Sequence, residues 1–176
     1  KMTFLVADSD QFYQNLVVSM LRQFGAHSVI TARDSDLAQE LLLSTKIDLL
    51  ICDYRLAPKN GATLTRLIRA NENHPRRDIP ILIMTGLSKT SVIQSARDAG
   101  ANLVMSKPLS PAALFDRLAW IAYRSRPFVK ARSYYGPDRR FKFEGFVAGA
   151  GRRSDDMSMA EIDNFFASNN ASAENA

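Results

Sequence analysis

Along residues 1–123, short apolar runs alternate with stretches of helical period, and the alternation occurs five times. "TFLVA" (3–7) reads as a strand. In "DQFYQNLVVSMLRQFG" (10–25), Phe12, Leu16, Met20 and Phe24 recur every four positions, so they share a helical face, and Gly25 suits the end of that helix. "HSVIT" (27–31) is a second strand, followed by a helix over about 35–44 with Leu37 and Leu41 on one face. "IDLLIC" (47–52) is apolar without interruption, as a strand covered on both faces should be. A helix from Ala62 to about Ala70 is expected to bury Leu64, Leu67 and Ile68, and "NENHPRRD" (71–78) then makes a polar loop. "IPILIMT" (79–85) is the fourth strand. Ser88 is placed as the cap of a helix running to Ala99, which Gly100 ends. "NLVMS" (102–106) is the fifth strand, and Ser110 followed by Pro111 opens the last helix.

Five strand-then-helix units predict an α/β fold, a doubly wound parallel sheet with helices on both faces. In such a sheet ligands bind at the carboxyl ends of the strands, so the polar residues that end successive strands are the ones to collect. They are Asp8 and Asp10 after the first strand, Asp53 after the third, Thr85 after the fourth and Lys107 after the fifth. Each has a plainer reading alone: Asp8 as a helix cap, Thr85 as a turn residue, Lys107 as a surface charge. Together, acids, a hydroxyl and an amine suit phosphoryl chemistry. Carboxylates hold a hard cation such as Mg²⁺, the cation and a lysine neutralise phosphoryl oxygens, and a carboxylate can itself accept phosphate.

The chain has 176 residues, room for one compact domain and an appendage, and 46% hydrophobic with 23% charged residues argues against a disorder-dominated chain. No run approaches the roughly 18 consecutive apolar residues that a membrane span needs. The opening "KMTFLVADSD" enters a strand pattern with no signal-peptide core. A cytoplasmic protein with no membrane contact is therefore expected. Cys52 has no second cysteine to pair with and reads as a small core hydrophobe.

The stretches "FLVADSD", "LLICDYRLAPKNGATLTRLIR", "IPILIMTG" and "GANLVMSKPLS" resemble the receiver domains of bacterial two-component response regulators, of which the single-domain chemotaxis regulator is the type. The resemblance implies a flavodoxin-like (βα)5 sheet of strand order 2-1-3-4-5. It implies that Asp53 is the phosphoacceptor, that Thr85 is the switch hydroxyl and that Lys107 contacts the phosphoryl group before a cis bond to Pro108. It also implies a Mg²⁺ site made by Asp8, Asp53 and the Arg55 backbone carbonyl. A sensor histidine kinase or phosphotransfer protein would supply the phosphate, and a downstream protein such as the flagellar switch would receive the signal. No enzymatic activity is implied beyond self-phosphorylation from phosphodonors. Two positions depart from the pattern. Ser9 stands where the family usually has a second acid, which weakens Mg²⁺ binding unless Ser9 itself or Asp10 supplies the ligand. Val104 stands where the family often has an aromatic that swings during signalling, and a β-branched valine has no comparable motion.

The positive charge of the chain is concentrated behind the receiver-like part. Residues 124–153 hold nine Lys/Arg against two acids, whereas 154–176 hold five acids and no base. The chain thus divides into a receiver (1–124), an arginine- and aromatic-rich extension (125–156), and a short amphipathic helix with a disordered end (157–176). "RSRPFVKARSYYGPDRRFKFEGFVAGAGRR" interleaves guanidinium groups with aromatic rings, which suits a nucleotide. The alternative is a linker whose aromatics pack on the receiver surface. The extension also resembles, in composition and in "GPDRR", receiver proteins that bind cyclic di-GMP, with Arg139, Arg140, Arg152 and Arg153 as the implied ligand contacts. A DNA-binding role is disfavoured, since Gly and Pro stand where a recognition helix would run. In "MSMAEIDNFFASNN", Ser158 with Glu161 forms a capping box before Ile162, Phe165 and Phe166. This helix resembles the N-terminal peptide of the flagellar switch protein, which implies docking on the face of the fourth helix, fifth strand and fifth helix.

Overall fold

The computed structural model describes residues 2–87, 89–123 and 126–139. Its strands are β1 (Thr3–Ala7), β2 (Ser28–Ala32), β3 (Leu49–Asp53), β4 (Ile81–Thr85) and β5 (Leu103–Ser106), all parallel in the order β2-β1-β3-β4-β5. The helices between and after them are α1 (Gln11–Gln23), α2 (Ser35–Ser44), α3 (Gly61–Ala70), α4 (Thr90–Asp98) and α5 (Pro111–Tyr123). The architecture and strand order are those expected.

Alternate residues of β3 explain its unbroken apolar run. Leu49 and Ile51 enter one core with Phe4, Val17, Leu21, Leu82, Leu114 and Leu118, beneath α1 and α5. Leu50 and Cys52 enter the other with Leu5, Leu42, Leu64, Ile68 and Ile83, beneath α2, α3 and α4. Each fully buried aliphatic side chain contributes about 1.5–3 kcal/mol of transfer free energy, so both faces help to fix the register. That register matters for function: Ala7 pairs with Cys52, Asp53 with Met84, and Thr85 with Ser106, so the strands end nearly level.

Several local expectations are corrected. Leu64 and Ile68 are buried in α3 as expected, but Leu67 is exposed, because one turn of α3 can present only part of its surface to the sheet. In α1 the buried stripe is Val17, Met20 and Leu21, whereas Phe12, in the first turn beyond the strand ends, is 68% exposed. α4 is capped at Lys89 without a side-chain cap bond, and Ser88, the expected cap, lies outside the described residues. Ser110 does cap α5, its hydroxyl accepting from the Ala113 N–H at 3.2 Å.

The extension adds an element that the hydrophobic pattern does not announce. β6 (Phe128–Ala131) and β7 (Tyr134–Pro137) pair antiparallel as a hairpin. The hairpin lies at the amino ends of the strands, over α3 and the segments that enter β4 and β5. Tyr135 donates its hydroxyl to Asp78 at 2.6 Å, Lys130 pairs with Glu72 at 2.7 Å, and Arg126 donates to the Asn102 carbonyl. Beneath it Arg69 is 2% exposed. Its guanidinium donates to the carbonyls of Gly100, Arg77 and Ile79 and to Asn102 Oδ1, and Phe128 lies against it at 4.9 Å. Burial lowers the Arg69 pKa to about 10. Gly100, at φ +99°, has no room for a side chain, since a Cβ would stand 3.0 Å from both Arg69 Cγ and the Tyr135 carbonyl. The packing of Phe128, Tyr134 and Tyr135 on the domain agrees with the surface-packing alternative for these aromatics.

Candidate functional site

Three strand ends bring together Asp8, Asp53 and Lys107. Asp8 follows β1 and Asp53 closes β3, and the two carboxylates are 1% and 5% exposed as residues. Lys107, just after β5, reaches back across β4's end, and its Nζ lies 2.8 Å from Asp8 Oδ2 and 2.8 Å from Asp53 Oδ1. Backbone amides hold the other carboxylate oxygens: Asp8 Oδ1 accepts from the Asp10 N–H at 2.9 Å and Asp53 Oδ2 from the Arg55 N–H at 2.8 Å. These bonds orient both acids and leave them acceptors in a half-dry cleft.

The electrostatics follow from burial set against pairing. Burial raises the Asp8 pKa, and the Lys107 hydrogen bond only partly offsets it. Burial pulls the Lys107 pKa down, but the hydrogen bonds to Asp53 and Asp8 outweigh it, so the net direction is up and the lysine stays charged. Cys52 lies beside this cluster with its thiol pushed up by burial and by Asp53, which agrees with the inert role expected for it.

Backbone features set the frame. Gly61 opens α3 directly behind Asp53, where a Cβ would stand 2.6 Å from the Asp53 carbonyl oxygen. The Lys107–Pro108 bond is cis, as the resemblance implies, and Ala57–Pro58 is also cis. The Lys107 N–H donates to the Thr85 carbonyl at 2.7 Å, tying the lysine's loop to β4.

The remaining expected residues fall in three places. Thr85 is buried at the end of β4, and its hydroxyl oxygen accepts from the Leu87 N–H at 3.0 Å, within its own loop. Asp10 is exposed and caps α1, Oδ1 accepting from the N–H groups of Phe12 and Tyr13. Ser9 is exposed beside it, and Val104 is partly buried against the α2–α4 core. The paired carboxylates of Asp8 and Asp53 are donors of the kind that fits Mg²⁺, which commonly takes one or two protein carboxylates together with substrate oxygens. Among the described residues there is no group of three or more His, Cys, Asp or Glu that could hold a metal ion.

Arg139 is far from this cleft. It pairs with Asp98 at 2.5 Å, stacks on the Tyr134 ring at 4.0 Å, and its carbonyl accepts from Arg97 at 3.2 Å. Arg140, Arg152, Arg153 and residues 157–176, where a helix is expected, lie outside the described residues.

Two residues of the cleft are not evident from sequence pattern. Gln14 is buried in α1 and donates from Nε2 to the carbonyls of Asp8 and Ala32, at 3.2 and 3.0 Å. Its signal is a polar residue amid the buried positions of an amphipathic helix. Tyr13 presents its ring to Lys107 Nζ, 4.2 Å from the centroid.

A five-stranded 2-1-3-4-5 sheet with this acid–lysine cluster at its carboxyl end defines a receiver domain of the two-component signalling type. The comparisons agree: residues 4–119 match the response regulator receiver domain family, and the chain belongs to it. It is 28% identical over 123 residues to the chemotaxis protein CheY of Pseudomonas aeruginosa, covering 70% of this chain and 98% of that one. It is 30% identical over 122 residues to the transcriptional regulatory protein PdtaR of Mycobacterium tuberculosis, covering 69% of this chain and 57% of that one. Among solved structures, a putative response regulator from Chloroflexus aurantiacus superposes with a TM-score of 0.62 at 30% identity, covering 69% of this chain and 98% of that one. The receiver domain of the Pseudomonas aeruginosa sensor kinase PA1611, with magnesium in its active-site cleft, superposes with a TM-score of 0.60 at 28% identity, over 68% and 94% of the two chains. Among the described residues no helix is long and apolar enough to cross a membrane.

Proposed function

We propose that this chain is a response regulator that accepts a phosphoryl group on Asp53 and acts through protein contacts. The observation that carries the reading is the position of Asp53: buried, oriented by the Arg55 amide, and 2.8 Å from the Lys107 ammonium. An oxygen of the Asp53 carboxylate attacks the phosphorus of a phosphohistidine or acyl phosphate. The O–P bond forms as the donor's P–N or P–O bond breaks, and the donor leaves with the bonding electron pair. Lys107 follows the negative charge from the carboxylate to the phosphoryl oxygens, and the Thr85 hydroxyl turns from its own loop to donate to one of them. Asp8, Asp53 and the Arg55 carbonyl, with Ser9 or Asp10 at the rim, would hold Mg²⁺, which supplies charge neutralisation on the phosphoryl group. The magnesium in the related receiver's cleft supports this assignment.

A sensor histidine kinase or phosphotransfer protein is the donor class, and the output is a protein partner, with a flagellar switch component as the partner proposed. The amphipathic segment 157–176 lies outside the described residues; its expected competition with that partner for the α4, β5 and α5 face belongs to the same proposal. Transfer of labelled phosphate from a phosphorylated histidine phosphotransfer protein tests the reading. Label on the wild type and none on Asp53→Asn supports it; equal labelling of both contradicts it.

A second input is cyclic di-GMP held by Arg139, Arg140, Arg152 and Arg153, favoured by the 44% exposure of the Arg139 side chain next to the basic run. Binding there competes with the Asp98 ion pair. Isothermal titration with the intact chain reads the outcome, and absence of heat removes this input. Arg139 is then left with its Asp98 pair and its stack on Tyr134.

A further inference from the structure

We infer that Tyr13 is a positioning residue for Lys107, holding the ammonium in place through phosphoryl transfer; this rests on the proposed phosphorylation of Asp53. The ammonium has three N–H groups. Two sides of it are taken by Asp8 Oδ2 and Asp53 Oδ1 at 2.8 Å each, and the ring face of Tyr13 lies 4.2 Å away. A lysine side chain only 10% exposed, with water largely excluded, is where a cation–π contact is strongest.

The three contacts do not behave alike during the reaction. As an Asp53 oxygen bonds to phosphorus and the donor bond breaks, Asp53 ceases to be a carboxylate, and its attraction for Lys107 falls. The negative charge now lies on the phosphoryl oxygens, so the ammonium must shift toward them while keeping its place at the strand ends. Tyr13 carries no charge that the reaction alters, so its pull on Lys107 is the same before and after transfer.

The ring is itself fixed. Asp10 caps α1 at Phe12 and Tyr13, Gln14 ties the next residue of the helix to the carbonyls of Asp8 and Ala32, and the Phe12 ring meets the Tyr13 ring edge-on at 5.5 Å. The first turn of α1 is thereby referenced to the same strand ends as the two carboxylates.

The test uses the full chain with acetyl phosphate and Mg²⁺, comparing wild type, Tyr13→Phe and Tyr13→Leu. Phenylalanine keeps the ring face; leucine keeps apolar bulk without it. The expected labelling rate is within about 2-fold of wild type for Tyr13→Phe and about 3- to 10-fold lower for Tyr13→Leu, the range that a partly desolvated cation–π contact supports. The loss should fall on the maximal rate rather than on the half-saturating phosphodonor concentration. NMR of the Lys107 side chain gives a second readout, with a ring-current shift present in wild type and Tyr13→Phe and lost in Tyr13→Leu. Equal labelling rates for all three proteins, or a Tyr13→Phe loss as large as that of Tyr13→Leu, overturns the inference. If wild type takes no label, the phosphoacceptor reading fails and the positioning role fails with it. The lysine shift then reports separately whether the ring contact itself exists.

Discussion

Asp8 pays for its place in the site. Because burial raises its pKa in spite of Lys107, the folded protein holds the Asp8 proton more tightly than the unfolded chain does. The stability linked to this group is therefore present below the ordinary value of 3.8 and lost as pH rises through the folded value. At neutral pH an ionised Asp8 opposes folding, so Asp8→Asn should raise the thermal midpoint at pH 7, with the gain shrinking toward pH 3.8. A midpoint at pH 7 equal to or below that of the wild type would contradict the assignment. Gly61→Ala acts through space instead: its methyl group meets the Asp53 carbonyl at 2.6 Å, so the end of β3 must shift. A cost of about 1–3 kcal/mol is expected in denaturant melts, with slower phosphorylation of Asp53. At this scale Asp8, Asp53 and Lys107 were legible because each is polar and follows an apolar run, and parallel topology makes such ends converge; Thr85 and Asp10 were collected by the same rule, but the Thr85 hydroxyl bonds within its own loop and Asp10 caps α1. Tyr13 was not, since its partner lies in another strand's loop and its place in α1 reads as ordinary amphipathicity.

Among elements, strands and helices followed from period, while β6 and β7 did not. Each has only four residues, and "FVKA" and "YYGP" carry no sustained period-2 alternation that separates a strand from the basic linker around them. Their stability comes from docking, since an isolated two-stranded hairpin is marginal in water. Truncation after Tyr123 should lower stability by about 2 kcal/mol or more, because it removes the buried Tyr134 and strips Phe128 from over Arg69. An unchanged melting curve would mean that the hairpin does not dock in solution. Arg69 beneath it is the sharper probe. Arg69→Ala should cost at least about 3 kcal/mol, since several carbonyl acceptors lose their donor in a buried place. Arg69→Lys should rescue only part of this, because an ammonium lacks the planar fork. Chemical denaturation of the two variants measures both.

Across the molecule the acid–lysine cleft and the hairpin occupy opposite ends of one sheet. α4 runs between them: the Thr85–Leu87 loop leads into its start, and the Arg139–Asp98 pair holds its last residue. That pair is largely exposed and is worth at most about 1 kcal/mol. The guanidinium–aromatic chemistry read in the sequence as a nucleotide clamp is here partly satisfied within the chain, by Arg77 on Tyr135 and Arg139 on Tyr134. Composition shows which groups can stack, and only the fold shows which of them already do.

Whether Asp53 is the phosphoacceptor is settled most directly by intact-protein mass spectrometry after incubation with acetyl phosphate and Mg²⁺, comparing wild type with Asp53→Asn. One phosphate adduct on the wild type and none on the variant is the predicted result. No adduct on the wild type under conditions that label a control receiver, or an adduct that survives Asp53→Asn, would contradict the account.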